Sequence, residues 1–190
     1  MNSATVLAQN RTFTNVQAVL WGGLVAGILD AVDGMIAFGT QGLNPIQVLQ
    51  YIASGALGQS AFQGGIATAA LGAVFHFIIA WVAAGVFVLA TRQLGILKTH
   101  AVPAGLLYGA AVYFFMNYFV LALSAVAAST FHLGLFLNGV IGHALFVGLP
   151  ISLFARRVQR PKPTFQSLPW SLCMRRGRMH PAGARSSHLC

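Results

Sequence analysis

The chain has 190 residues, of which 57% are apolar and 7% charged, with a mean hydropathy of +0.74 and a formal net charge of +9. Soluble domains carry about 25% charged residues, so this composition excludes a water-soluble surface and points to a membrane protein. The positive charge does not indicate nucleic acid, because the basic residues are not interleaved with polar surface.

Four segments are long enough to cross a hydrocarbon core, which needs roughly 20 apolar residues. They run from Val16 to Phe38, Ile66 to Ala90, Val102 to Val126 and Leu135 to Ala155. Alternation with period two is absent, so strands are a poor alternative. The chain reads as an all-α polytopic bundle in three parts: a segment 1–15, a transmembrane domain 16–155 and a tail 156–190. The first span is too long for a signal-peptide core, contains Asp30 and Asp33, and is followed by no small-x-small cleavage site. It is expected to insert without cleavage.

Between the first and second spans lies NPIQVLQYIASGALG, with Asn44 placed as an N-cap and Pro45 at the first helical position. Ile46, Leu49, Ile52 and Ala53 recur at helical spacing, with Gln47 and Gln50 between them. This predicts a short interfacial or re-entrant helix that caps the bundle or, alternatively, admits a substrate.

Charge sets the threading. Arg11 precedes the first span, Arg92 and Lys98 lie between the second and third, and the other eight of the eleven basic residues follow the fourth. With an even number of spans all eleven fall on one side, which the positive-inside rule makes the cytoplasm, with both termini inside. After Arg157 the tail is basic and proline-rich, which predicts disorder and attraction to anionic lipid headgroups. Its two cysteines, Cys173 and Cys190, match no zinc motif and receive no role.

Asp30 and Asp33 are the only acidic residues, and both sit inside a span. Gly23, Gly27, Asp30 and Gly34 form one stripe, with Asp33 on a neighbouring part of the same side. Glycine stripes allow close helix approach, and a charged carboxylate facing lipid is costly, so this face should look into the bundle. His76 lies on a small-residue stripe of the second span, with Gly65, Ala69, Gly72 and Ala83. The third span carries a GxxxG pattern at Gly105 and Gly109, then Tyr113 and Asn117. The fourth holds Asn138, Gly139, Gly142 and His143, then Pro150, which should kink or loosen the helix. At 1.5 Å per residue, Asp30, Asp33, His76, Asn117 and His143 all fall about 8–15 Å below the outer surface.

Three readings of this layer stay open. The first is structural: side-chain hydrogen bonds that fix helix register, at about 0.6 kcal/mol each. The second is a proton or ion path through Asp30, Asp33, His76, Asn117 and His143, as part of a coupled transporter. Four spans are few for that task, so a homo-oligomer formed through the glycine stripes would be needed. The third is cofactor binding: a b-type haem between His76 and His143, with Gly72 and Gly139 making room for the ring, or a metal held by His76, His143 and Asp30. No nucleophile–base motif, phosphate loop or paired-histidine box points to an enzyme.

The stretches FHFIIAWVAAGVFVLATR, PAGLLYGAAVYFFMNYFVLAL and IGHALFVGLPISLFARR resemble the YagU-type inner-membrane proteins of bacteria, over about Val74 to Arg157. The likeness rests on His76 opening an apolar run, on Gly142-His143 and on the Arg156-Arg157 pair. It implies a small polytopic protein of the bacterial inner membrane and carries no catalytic residue. The first span, its aspartates and the tail lie outside it.

Overall fold

Thr14 opens the first helix. Its hydroxyl accepts from the Gln17 amide at 3.2 Å, and the Gln17 side chain accepts from the Thr14 amide at 3.0 Å. This capping box starts α1 (Asn15–Gly39). The computed structural model describes residues 13–126 and 132–158. Within them follow α2 (Pro45–Leu57), a 3-10 segment (Gly58–Gln63), α3 (Gly65–Gln93), a single turn α4 (Ile96–Thr99), α5 (Ala101–Leu123) and α6 (Leu133–Arg156). No strand occurs among the described residues; the one β-bridge joins Phe13 to Val158. Helices α1, α3, α5 and α6 are each long and apolar enough to cross a membrane. The segment 1–12 and the tail from residue 159 onward, with its expected disorder, lipid contact and cysteines, lie outside the described residues.

Boundaries depart from the sequence reading where polar groups intervene. α3 continues to Gln93 and not to Ala90, which buries Thr91 and puts Arg92 in the last turn. α5 stops at Leu123 and not at Val126, because Ser124 turns extended and the Ala125 amide leaves the helix to donate to the Gly55 carbonyl at 3.0 Å. That bond ties the end of α5 to α2.

The bundle has two unlike ends. At one, the Phe13 amide donates to the Arg157 carbonyl at 3.2 Å and the Lys98 ammonium to the Val158 carbonyl at 3.2 Å. Arg92, Lys98, Arg156 and Arg157 gather there, and this is the basic end. The other end has α2 across it and, among the described residues, no Lys or Arg.

Small residues make the basic half dense. Gly23 and Gly27 of α1 lie against Trp81, Phe77 and Ala80 of α3. Gly105 and Gly109 of α5 lie against Gly148, Ser152 and the His143–Ala144 backbone of α6. The GxxxG pattern therefore serves a contact within the chain, where absent side chains let two backbones touch. Ala18, Ala26, Ala84, Phe87, Val88, Val147, Ile151, Ala155 and Val158 fill the core of this half. Side chains with a polar tip add ties to backbone carbonyls: Trp81 Nε1 to Leu20 at 3.3 Å, and the Tyr108 hydroxyl to Ala83 at 2.7 Å.

α2 begins as expected, with Asn44 and Gln47 exchanging two capping bonds of 2.9 Å and Pro45 at the first position. Its buried residues coincide with the apolar repeat only at Ala53. Val48, Gln50, Ala53 and Ser54 are buried, whereas Ile46 is exposed. The reason is polar. Gln50 Nε2 donates to the Gly65 carbonyl at 3.0 Å and to Thr68 Oγ1 at 3.3 Å, at the start of α3. Gly72 then lets the Leu49 carbonyl rest directly on α3.

Two π-helical turns interrupt the spans, at Met116–Val120 in α5 and His143–Gly148 in α6. The second ends one residue before Leu149-Pro150, so the loosened turn expected of Pro150 lies directly upstream of it.

Candidate functional site

The α1 stripe does two jobs along its length. Its first half, Gly23 and Gly27, is a tight seam against α3. Its second half, Asp30 and Gly34, faces empty space: a Cβ at Gly34 would meet nothing within 4 Å. That space is a cavity of about 590 Å³ at the uncharged end of the bundle. Asp30, Asp33, His76, Asn117 and His143 all line it, so one pocket gathers the five residues of the expected layer. Below them the dense core of the basic half closes the bundle.

The five differ in what they do. Asp33 Oδ2 accepts from Asn138 Nδ2 at 2.9 Å, and Gly142, with no side chain, leaves room for the carboxylate beside α6. This pair bridges α1 and α6. His76 Nε2 lies 2.8 Å from the Gly27 carbonyl, a bond in which the ring donates and α3 is tied to α1. His76 thus contacts backbone and not an aspartate. Asn117 lines the cavity, but its amide donates to the Tyr113 carbonyl of its own helix at 3.0 Å, inside the π turn of α5.

Asp30 and His143 form the remaining pair. Nδ1 of His143 is 3.5 Å from Asp30 Oδ1, within ion-pair reach. The two are not aligned as a hydrogen bond, and this nitrogen is the one buried side-chain N or O without such a partner among the described residues. His143 is also the first residue of the α6 π turn. Such turns are common at functional sites because they redirect a side chain out of helical register.

The sequence reading named Asn138 and Tyr113 without placing them in the layer, and it passed over His132, which also lines the cavity. Asn138 sits one turn before Gly142, and that i, i+4 spacing is the signal that could have placed it beside Asp33. Tyr113 packs edge-on against His143 (centroids 5.4 Å apart) and Phe136 (5.9 Å), and fills the notch left by Gly139. No local signal pairs a tyrosine with a glycine on another helix.

The cofactor readings do not fit this arrangement. Gly72 and Gly139, expected to make room for a haem, are covered by the Leu49 backbone and the Tyr113 ring. His76 has Nε2 committed to a carbonyl, which removes one ring nitrogen from axial ligation. Nor do His76, His143 and Asp30 assemble into a metal site: among the described residues no three His, Cys, Asp or Glu side chains converge as ligands.

No family model, no curated protein and no solved structure matches the chain.

Proposed function

We propose that this is a small integral protein of the bacterial inner membrane, with both termini cytoplasmic, and that its cavity is the proton- and cation-binding vestibule of a transport component. The orientation rests on the positive-inside rule applied to the basic end. On that threading the cavity lies in the outer half of the bundle and the dense core fills the cytoplasmic half. Kinship with YagU-type proteins belongs to the same proposal and adds no residue role.

The observation that carries the reading is the state of the Asp30–His143 pair. A layer that only fixed register would close up, each polar group hydrogen-bonded across a helix interface. Asp33–Asn138 and His76–Gly27 behave that way, and we assign them to structure. Asp30 and His143 do not. They face each other at 3.5 Å beside open volume, on two helices, with a buried nitrogen left without a hydrogen bond. A buried polar atom without a hydrogen bond destabilises a protein by about 1–3 kcal/mol, and the acceptor nearest this nitrogen is the Asp30 carboxylate. A carboxylate and an imidazole at this separation can hold and exchange a proton, which is the usual work of such residues within membranes. The four spans would act as a homo-oligomer through outward helix faces, since the Gly105–Gly109 stripe is occupied within the chain.

The test is proton movement into sealed vesicles holding the purified protein and an entrapped pH dye, under an imposed potential. Flux above that of protein-free vesicles, lost in Asp30→Asn while that variant still elutes as a single folded species, is the expected result. Equal flux through Asp30→Asn and the unmodified protein would overturn the proposal.

A further inference from the structure

The cavity is far larger than proton exchange requires. Its volume of about 590 Å³ lies within the roughly 300–1,000 Å³ of small-molecule sites. We propose that it is the binding site for a lipophilic organic cation, a protonated amine or quaternary onium ion carrying apolar groups. The proposal rests on the reading of the cavity given above and names the cation.

Three features select this chemistry. The first is charge. The chain's two acidic side chains, Asp30 and Asp33, both line the cavity together with His76, His132 and His143, and none of the four described Lys and Arg residues does. With the histidines neutral the lining repels anions and favours cations, and low-dielectric walls strengthen the effect. The second is aromatic surface. Tyr113 and Phe136 sit together on one side, and Phe38 and Tyr51, with ring centroids 5.8 Å apart, line it where α1 approaches α2. Aromatic faces hold a weakly hydrated cation through their quadrupoles, with a larger gain once water is excluded. The third is the absence of a converging ligand set: a small metal ion needs several oxygen or nitrogen donors at once, and no three His, Cys, Asp or Glu groups meet among the described residues. A wide pocket with aliphatic walls, two carboxylates and aromatic faces suits a bulky monovalent cation better than a bare ion.

Asp30 is the counter-ion best placed to respond. Asp33 has a donor in Asn138, whereas among the described residues Asp30 faces the misaligned His143. An arriving onium ion can lie against the Asp30 carboxylate and displace the proton held between Asp30 and His143 to bulk water, which leaves His143 neutral and the onium ion paired with Asp30.

The experiment uses radiolabelled tetraphenylphosphonium and tetraphenylborate, ions of the same shape and opposite charge, with the full chain in detergent. Saturable binding is read by scintillation proximity. The phosphonium should bind saturably and the borate should not. Asp30→Asn and Tyr113→Leu should each weaken phosphonium binding by about tenfold, whereas Tyr113→Phe, which keeps the aromatic face, should stay within about threefold. Tyr113→Phe also guards against loss of fold, since it preserves the packing on Gly139 and His143. Equal binding of both ions, or Tyr113→Leu and Asp30→Asn binding as well as the unmodified protein, would overturn the inference. Failure to bind phosphonium by a protein that still conducts protons through Asp30 would overturn the ligand class and leave the vestibule reading standing. Loss of Asp30-dependent proton movement would remove both.

Discussion

Gly109→Ala probes the α5–α6 seam. A methyl group built at Gly109 would lie 2.7 Å from the Ala144 Cα and equally close to the His143 carbonyl carbon, with the His143 oxygen nearer still. All three are backbone atoms, so no side chain can rotate away. The opposing surface offers no slack either, because Gly148 already rests on the Gly105 carbonyl and on Gly109. The helices must separate, and overpacking of this kind costs about 1–3 kcal/mol. Better helix propensity returns up to about 1 kcal/mol, leaving a net loss of up to about 2 kcal/mol. At about 2–4 °C per kcal/mol for a chain of this size, the melting temperature should fall by several degrees. The assay is thermal unfolding in mild detergent, followed by the folded peak in size-exclusion chromatography. Gly85→Ala is the control, because a methyl there meets nothing within 4 Å and should leave stability unchanged or slightly raised. Gly109→Ala melting at or above the unmodified protein, or Gly85→Ala falling equally far, would refute the packing argument.

Other expectations follow from single contacts. Asn138→Leu removes the bridge to Asp33 and should destabilise the bundle by about 0.6 kcal/mol, and by no more than about 1.7, in detergent unfolding. Gln50→Leu removes the side-chain bonds from α2 to the Gly65 carbonyl and to Thr68, while Thr68 Oγ1 still donates to that carbonyl; a loss of about 0.5–1.5 kcal/mol should appear as faster amide exchange confined to α2 and the start of α3. Asn44→Ala removes one capping bond and should weaken the same region by about 0.5–2 kcal/mol, with unchanged exchange there counting against the cap. In a chain whose native cysteines are replaced, Gln47→Cys should react with an impermeant thiol reagent added outside intact cells. Reaction only after lysis would invert the proposed threading.

Much of the fold was legible because a bilayer asks for length and apolarity, and four runs supply both. The Asn44-Pro45 start of α2 was legible for a similar reason: capping is a local bond between residues three apart. Gln50 was not. Its burial depends on the Gly65 carbonyl and the Thr68 hydroxyl at the start of α3, fifteen and eighteen residues away, and a glutamine flanked by apolar residues reads as the wet side of a helix. Glycine stripes announced close approach but not the approaching surface. The same stripe on α1 is a sealed seam at Gly23 and Gly27 and an open wall at Asp30 and Gly34. The site was legible as a set of polar residues at one depth, since depth follows from rise per residue. What each residue touches was not, because azimuth and tilt decide whether His76 meets a carboxylate or the Gly27 carbonyl.

With so few acids, the chain is unusually clean for vibrational spectroscopy. Its side-chain carboxyls are Asp30 and Asp33 alone, so an infrared difference spectrum between two pH values reports on them with only the terminal carboxyl as background. The decisive measurement follows that carboxyl band through a pH titration of the unmodified protein, Asp30→Asn and His143→Gln. If Asp30 and His143 share a proton, one component vanishes in Asp30→Asn, and the same component titrates at a different pH in His143→Gln. If His143→Gln leaves the carboxyl titration superimposable on that of the unmodified protein, the pair is not coupled and the layer is structural throughout.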